Sequence, residues 1–274
     1  MSNYLPIIYR DAQLIAISKP SGLLVHRSEI DRHETRFAVQ LLRDQIGQPV
    51  FPVHRLDKPT SGVLLFALNA DCARKLGDIF FHHQLTKHYV AVVRGVTPTS
   101  GHIDHPLTEE QDKYTDSKAR QNKPAQPAAT KYKTLAQIEL PFAVDKYPCS
   151  RYSLVECQPQ TGRKHQLRRH LKHINHPIIG DAKHGKGRHN RFFQEQLHCH
   201  RLLLAATQLE LIHPYSGELI KLVAPIGETS QLTALENPEF NKQGCSFRSI
   251  IMQFGWSNAL PSNWLTPGIN SSCD

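Results

Sequence analysis

No apolar run in this chain approaches the roughly 18 to 20 residues that a membrane-spanning helix needs; the longest candidate is Val63-Leu64-Leu65-Phe66-Ala67-Leu68. Transmembrane anchoring is excluded on that ground. The N-terminus, Met1-Ser2-Asn3-Tyr4, has no basic region leading into an apolar one, so a signal peptide is not expected and a cytoplasmic location is. Six cysteines stand scattered at 72, 149, 157, 199, 245 and 273 without a C-x-x-C pair. That spacing suits free thiols in a reducing compartment and fits neither a disulfide scaffold nor a zinc site. None of the 17 histidines falls in an H-E-x-x-H pattern, and His82-His83 and His198-x-His200 lack carboxylate or cysteine partners at ligand spacing. G-x-G-x-x-G and G-x-x-x-x-G-K-[ST] are both absent, which sets aside the nucleotide-cofactor folds. Neither a metal nor an organic cofactor is expected.

What is present is positive charge, and it is concentrated. The 274 residues hold 33 Lys plus Arg against 24 Asp plus Glu, a net charge of +9 with a pI near 9.3. Between Thr161 and Arg191 there are nine Lys or Arg and one acid, Asp181, a net of +8, which leaves +1 for the other 243 residues. Six histidines in the same segment add ring donors for phosphate contacts. A polyanion is the implied partner, with nucleic acid ahead of an acidic membrane surface. At 39% hydrophobic content the chain can bury a core unaided, as one large domain or two modest ones.

The hydrophobic pattern predicts strands at Ile7-Ile8-Tyr9 and Leu14-Ile15-Ala16-Ile17, a turn at Lys19-Pro20-Ser21-Gly22, and a helix carrying Ala38, Leu41, Leu42 and Ile46 closed by Gly47. A strand is expected from Val63 to Leu68 and a helix from Ala70 to Phe81 with Asn69 as N-cap. Alternation over Lys87 to Arg94 places Tyr89, Ala91 and Val93 on one strand face. Residues 107–130 are polar and aperiodic and read as a long loop; further strands are expected at 130–135, 151–157, 202–211 and 219–223. The mixed order, with strands in hairpin-like succession, predicts an α+β domain around a largely antiparallel sheet flanked by helices and loops. Residues 1–228 read as that domain and 229–274 as a C-terminal extension with helical potential at Thr229 to Leu235.

Two places combine groups that could do chemistry. Arg55-Leu56-Asp57 runs into the turn Lys58-Pro59-Thr60-Ser61-Gly62, which presents Asp57 at a sheet end; taken locally, an Asp bonding its own turn would explain it as well. The second is a predicted helix from Thr161, as cap, to Ile174, stopped by Asn175-His176-Pro177. Leu167, Leu171 and Ile174 form a narrow apolar stripe, with basic rows of Lys164, Arg168 and Lys172 and of His165, Arg169 and His173 on the other faces. Arg168, at the edge of the stripe, is the arginine expected to face inward. A buried arginine needs a carboxylate, and Asp57 is the expected partner.

His54-Arg55-Leu56-Asp57-Lys58-Pro59-Thr60-Ser61-Gly62 resembles the H-R-L-D-x-x-T-S-G signature of the RluA-type pseudouridine synthases. Lys19-Pro20-Ser21-Gly22, Lys87-x-Tyr89-x-Ala91-x-Val93-x-Gly95 and Thr161-Gly162-Arg163-Lys164-His165-Gln166-Leu167-Arg168 match further family elements in order, over roughly residues 5 to 225. Because the residues before the signature already match the start of the catalytic domain, no room is expected for an N-terminal S4-type domain. The chain is most similar to members acting on tRNA, at uridine 65, through Val25-His26-Arg27-Ser28, Arg43 to Gln48, Arg168 to Leu171, His176 to Asp181 and Gln253-Phe254-Gly255-Trp256. Where the family usually reads Leu-His-Ala, this chain has Leu204-Ala205-Ala206, which keeps the leucine and loses the histidine.

The resemblance implies isomerisation of uridine to pseudouridine in RNA without metal or organic cofactor. It implies Asp57 as the essential carboxylate, Tyr89 as the ring stacked on the flipped base, and Arg168 as the partner holding Asp57 ionised. Leu204 would line the base pocket and Arg55 would enter the space the nucleotide vacates. Arg163, Lys164, Arg169 and Lys172 are the expected phosphate contacts. No protein partner is implied, so a monomer is expected. Alternatives are a ribosomal RNA target, a non-catalytic RNA-binding protein, which would have no need for the Asp57 turn, and a glycoside hydrolase, which would need a second carboxylate across the cleft.

Overall fold

The structure is a computed structural model and describes residues 4–27, 34–109, 124–226 and 246–265. The apolar run after Gly62 forms β4 (Ser61–Ala67), buried along its whole length, which requires cover on both faces. It pairs antiparallel with β2 (Leu14–Lys19), which pairs with β1 (Ile7–Arg10), while the short β3 (Phe51–Pro52) adds to the end of β4. A second group runs β9 (Leu204–Ile212), β5 (Leu85–Arg94), β8 (Ser150–Pro159), β7 (Ala129–Leu140) and β6 (Ser100–Asp104), every neighbour antiparallel, with β10 (Leu219–Val223) also on β9. The two groups meet in parallel where Ser61 and Gly62 lie opposite Ala205 and Ala206. A ten-stranded, largely antiparallel sheet results, the centre of an α+β fold.

Period-two alternation decides what covers each face. On one side of the first group, Ile15, Ile17, Leu64 and Phe66 pack under α1 (Ala38–Ile46) through Ala38 and Leu42. On the other, Leu14, Ala16, Val63 and Leu65 pack under Cys72 and Leu76 of α2 (Ala70–Phe81). Asn69 caps α2 by accepting from Cys72 N at 2.8 Å, as its sequence position predicts. In the second group, Ala91, Val93, Val155 and Cys157 face α3 (Gln166–His173), which docks with Leu167 and Leu171. Val90, Val92, Tyr152 and Leu154 face α4 (Gly187–Gln196) and α5 (Phe247–Gln253), with Trp264 of α6 (Ser262–Leu265) in the same cluster. Among the described residues no helix is long and apolar enough to cross a membrane.

Several expectations need correction. The basic helix does not start at Thr161: α3 begins at Gln166, and the residue at its N-cap is His165, in a left-handed conformation with φ of 57°. The Gln166 side chain prevents an earlier start, because its Oε1 accepts from Thr161 Oγ1 and from Arg163 N and fixes 161–165 as a loop. Nor are all faces of α3 outside the leucine stripe basic and open, since Gln166, Arg168 and His170 are buried with it. Helix α4 and strand β6 carry too little apolar periodicity to be read from sequence. The expected strand at 130–135 extends to Leu140 through an irregularity between Thr134 and Ala136, and Leu107 bridges Gln126 across the base of the expected loop. The helical potential at 229–235 lies outside the described residues.

Gly62 makes the seam possible. Its φ is 113°, and a Cβ there would land on the backbone of Ala206. Gly62→Ala is expected to cost about 2 kcal/mol or more and to lower the thermal midpoint by roughly 5 °C. A melting curve superimposing on that of the unsubstituted protein would contradict the close approach.

Candidate active site

The loop from His54 to Ser61 runs into the seam, and neighbouring elements hold most of its residues. His54 Nε2 accepts from Leu65 N at 2.9 Å, and its ring stacks on Phe80 at 4.9 Å between centroids. Burial, reinforced by the Lys87 cation, pushes the His54 pKa down to about 3, which keeps the ring neutral and Nε2 free to accept. Leu56 is buried in the cluster under α1. The Asp57 carbonyl accepts from Thr60 N at 3.0 Å and closes the turn.

Lys19-Pro20-Ser21-Gly22 straps this turn down. The Lys58 carbonyl accepts from Gly22 N at 2.8 Å and from Lys19 Nζ at 3.2 Å, and the Pro59 carbonyl accepts from Ser21 Oγ at 2.8 Å. Lys19 is fully buried, and its Nζ also donates to the Pro20 and Leu23 carbonyls. Burial pushes its pKa down to about 7, helped by the Arg201 charge and opposed by Asp57. Two motifs separated by more than thirty residues are therefore one structural unit. Below the turn, Ser61 Oγ accepts from Arg201 Nη2 at 2.7 Å.

Arg168 approaches Asp57 from α3. Its Nη1 donates to Asp57 Oδ2 at 3.1 Å, while Nε and Nη2 grip the Asp181 carboxylate at 2.7 and 2.8 Å. The arginine side chain is 7% exposed, Asp57 23% and Asp181 not at all. Burial works to raise the Asp181 pKa, but Arg168 and the backbone N–H groups of His184 and Lys183 outweigh it and hold the carboxyl below its usual value. Gly180 sets this acid in place: its φ is 78°, and a Cβ there would strike the Arg201 carbonyl. Asp57 Oδ1 accepts no hydrogen bond from the described residues. Sequence reasoning missed Asp181; the available signal was its isolation as the single acid among nine bases.

Tyr89 is half-buried and packs between the α1-side and α3-side clusters. Burial, with Asp57 adding its charge, drives its hydroxyl pKa upward, so the phenol stays protonated. Leu204, 3% exposed, lies in the α3-side cluster. Arg55 is exposed beside Leu56. The four expected phosphate contacts divide into two pairs. Lys164 and Lys172 are exposed, whereas Arg163 Nε donates to the Pro127 carbonyl at 3.2 Å and Arg169 Nη1 to the Thr108 carbonyl at 2.8 Å. The segment's histidines are not all open to phosphate, because His170, His184 and His189 are buried; His170 bonds Thr130 and the His105 carbonyl, and His189 bonds Tyr152.

An α+β sheet with a carboxylate at its central seam, braced by a helix-borne arginine, defines the class. Residues 13–173 match the RNA pseudouridylate synthase family. The chain belongs to that family and is an RNA pseudouridine synthase, an isomerase. It is 47% identical over 259 residues to the tRNA pseudouridine synthase C of Vibrio cholerae serotype O1, covering 94% of this chain and 99% of the relative. It is 50% identical over 227 residues to the protein of that name from Vibrio parahaemolyticus, covering 83% and 92%. Among solved structures, Human RNA Pseudouridylate Synthase Domain Containing 4 superposes with a TM-score of 0.59 at 30% identity, covering 80% of this chain and 87% of that one. Human RNA Pseudouridylate Synthase Domain Containing 1 gives 0.61 at 24% identity, covering 82% and 84%, a likeness of fold.

Breaking the buried pair should be costly. Asp181→Asn is expected to lose about 3 kcal/mol or more of stability at neutral pH in urea titrations. Because the folded-state pKa of Asp181 is lowered, its contribution is present above the ordinary value near 3.8 and is lost as pH falls through the lower folded value. The stability difference between the unsubstituted protein and the Asn variant should therefore shrink below about pH 4, and a difference independent of pH would refute the assignment.

Proposed function

We propose that this protein converts a uridine of tRNA, uridine 65, to pseudouridine, with Asp57 as the reacting carboxylate. The observation that carries the reading is Asp57 itself. Its Oδ2 is fixed by Arg168, its Oδ1 accepts no hydrogen bond from the described residues, and it lies near Tyr89 at the seam. A non-catalytic RNA-binding surface has no need for a carboxylate held in that way. The tRNA assignment is supported by relatives of that name at 47 to 50% identity over most of the chain. The position within tRNA rests on the sequence stretches that resemble members acting there. We further propose residues 1–228 as the catalytic domain, residues 229–274 as a C-terminal extension, and a cytoplasmic monomer.

A uridine stacked in folded RNA must be flipped out, at a cost of a few kcal/mol, about the amount that phosphate contacts can offset. Asp57 then acts on the sugar as nucleophile at C1′ or as the base that starts elimination. The N1–C1′ bond breaks, the uracil rotates, a C5–C1′ bond forms as Asp57 leaves C1′ or returns the sugar proton it took, and the C5 proton leaves as N1 regains one. Tyr89 stacks on the flipped base, and its phenol can give a proton to N1 and take up the one leaving C5, ending protonated as it began. Arg168 aims Asp57, Leu204 lines the pocket floor, and Arg55 enters the space left in the RNA. Lys164 and Lys172 hold phosphates, with Arg163 and Arg169 adding the donors left after their carbonyl bonds.

Asp57→Asn should bind tRNA with near-normal affinity and release no tritium from 5-labelled uridine; substantial release would remove Asp57 from the mechanism. Arg168→Ala should lose turnover far more than affinity. Lys164→Ala and Lys172→Ala should instead weaken binding and reduce the slope of log affinity against log salt by about 1 each. Pseudouridine mapping of total RNA with and without the protein tests the target, and a modified ribosomal RNA site with untouched tRNA would overturn the tRNA assignment.

A further inference from the structure

A histidine, His165, lies beside Asp57. His165 Nε2 is 3.8 Å from Asp57 Oδ2, the oxygen that Arg168 holds, and His165 Nδ1 is 3.0 Å from His184 Nε2. His184 is 6% exposed, and its backbone N–H donates to Asp181 at 2.9 Å. The three groups are thereby linked to the Arg168 clamp on both sides. His165 is presented by an unusual backbone: it is a non-glycine residue held at φ of 57° immediately before α3. Hydrogen bonds on either side maintain that conformation, from Gln166 N to the Arg163 carbonyl and from Arg169 N to the His165 carbonyl. A left-handed residue of this kind costs energy and persists where the surroundings over-determine it, commonly at functional sites.

The His184 contact and the facing Asp57 carboxylate together favour one placement of the proton. In the His165–His184 hydrogen bond one nitrogen donates and the other accepts. If His165 Nδ1 accepts, the neutral ring carries its proton on Nε2, which faces Asp57. If His165 Nδ1 donates, a neutral ring would turn the Nε2 lone pair toward a carboxylate, which is repulsive; a cationic ring again has a proton on Nε2. Both acceptable states direct an N–H at Asp57 Oδ2. At 3.8 Å this is a polar contact and not yet a hydrogen bond, and such contacts commonly tighten when substrate fills the site.

We propose that His165 is a positioning residue for Asp57: with its proton placed by His184, it acts with Arg168 on Oδ2 and so leaves Oδ1 as the oxygen that meets the nucleotide. This inference rests on Asp57 being the reacting group.

The left-handed backbone provides the test, because side-chain and backbone roles predict opposite orders of activity. Glycine suits φ of 57° better than any other residue but removes the ring. Glutamine strains the backbone, yet its amide N–H reaches about as far as Nε2. With single-turnover pseudouridine formation on tRNA as the readout, His165→Gly should melt no lower than the unsubstituted protein. It should still react at least about tenfold more slowly, as misplacement of a reacting group commonly causes, with substrate affinity changed less than threefold. His165→Gln should recover a substantial part of the lost rate despite its less favourable backbone. A His165→Gly enzyme within twofold of normal rate, a His165→Gln enzyme no faster than the glycine variant, or a loss confined to affinity would each overturn the proposal. Asp57→Asn run in parallel separates the two readings: product from that variant removes Asp57 whatever His165 does.

Discussion

The guanidinium of Arg168 is shared between two carboxylates, and the geometry of the site follows from how it is divided. Asp181 takes the bidentate share, through Nε and Nη2, and Asp57 receives Nη1 alone. A bidentate grip on Asp57 would engage both of its oxygens and leave neither for a substrate. With Asp181 present, the arginine is satisfied as a buried cation, and Asp57 is oriented while one oxygen stays open. Removing Asp181 would redirect the arginine and abolish the asymmetry that exposes Oδ1.

That division requires the turn and the helix to be fixed independently of each other. The turn is fixed from the first half of the sheet, by Lys19 and Ser21 on its carbonyls and by Leu56 in the core. The helix is fixed from the second half, by Leu167 and Leu171 under β5 and β8. The two halves meet at the contact of Gly62 with Ala206, so the separation of Asp57 from Arg168 is set by a backbone-to-backbone approach, among the least deformable contacts a protein can make. Lys19 illustrates the cost of such rigidity. Burying its ammonium is unfavourable enough to lower its pKa by several units, and three carbonyl oxygens at the turn offset that cost.

Much of this was legible in the sequence because it is local. Alternation along β2, β4 and β5 reports which face is buried, Asn69 marks the start of α2, and the turn chemistry of 57–62 presents a carboxylate at a strand end. Legibility failed where a residue's role is decided by a distant partner. Asp181 reads as a loop acid until Arg168, thirteen positions earlier, is seen to grip it. Thr161 reads as a helix cap until the Gln166 side chain is seen to take the loop's donors. His165 reads as one more base in a basic row, since nothing local shows that its backbone is left-handed or that His184 orients its ring. Helix α4 escaped for another reason: its apolar anchor is one aromatic pair, Phe192-Phe193, and the third buried residue, His189, is polar and gives no hydrophobic signal.

The charge that first pointed to a polyanion is also redistributed by the fold. Of the nine bases between Thr161 and Arg191, Arg168 is cancelled inside the protein by Asp181, and Arg163 and Arg169 bond the chain at Pro127 and Thr108. Lys164, Lys172, Lys183, Lys186, Arg188 and Arg191 stay exposed, with Arg188 paired to Asp145 at 2.7 Å. These exposed groups extend from the start of α3 to α4, on both sides of the buried clamp. Charge spread in this way suits a long backbone crossing the site, because counterion release adds over phosphates. On the proposed function, the inward arginine and the outward lysines divide catalysis from binding within a few residues: a burial boundary passing between Lys164 and Arg168 separates the cation that orients a carboxylate from cations placed to meet phosphates.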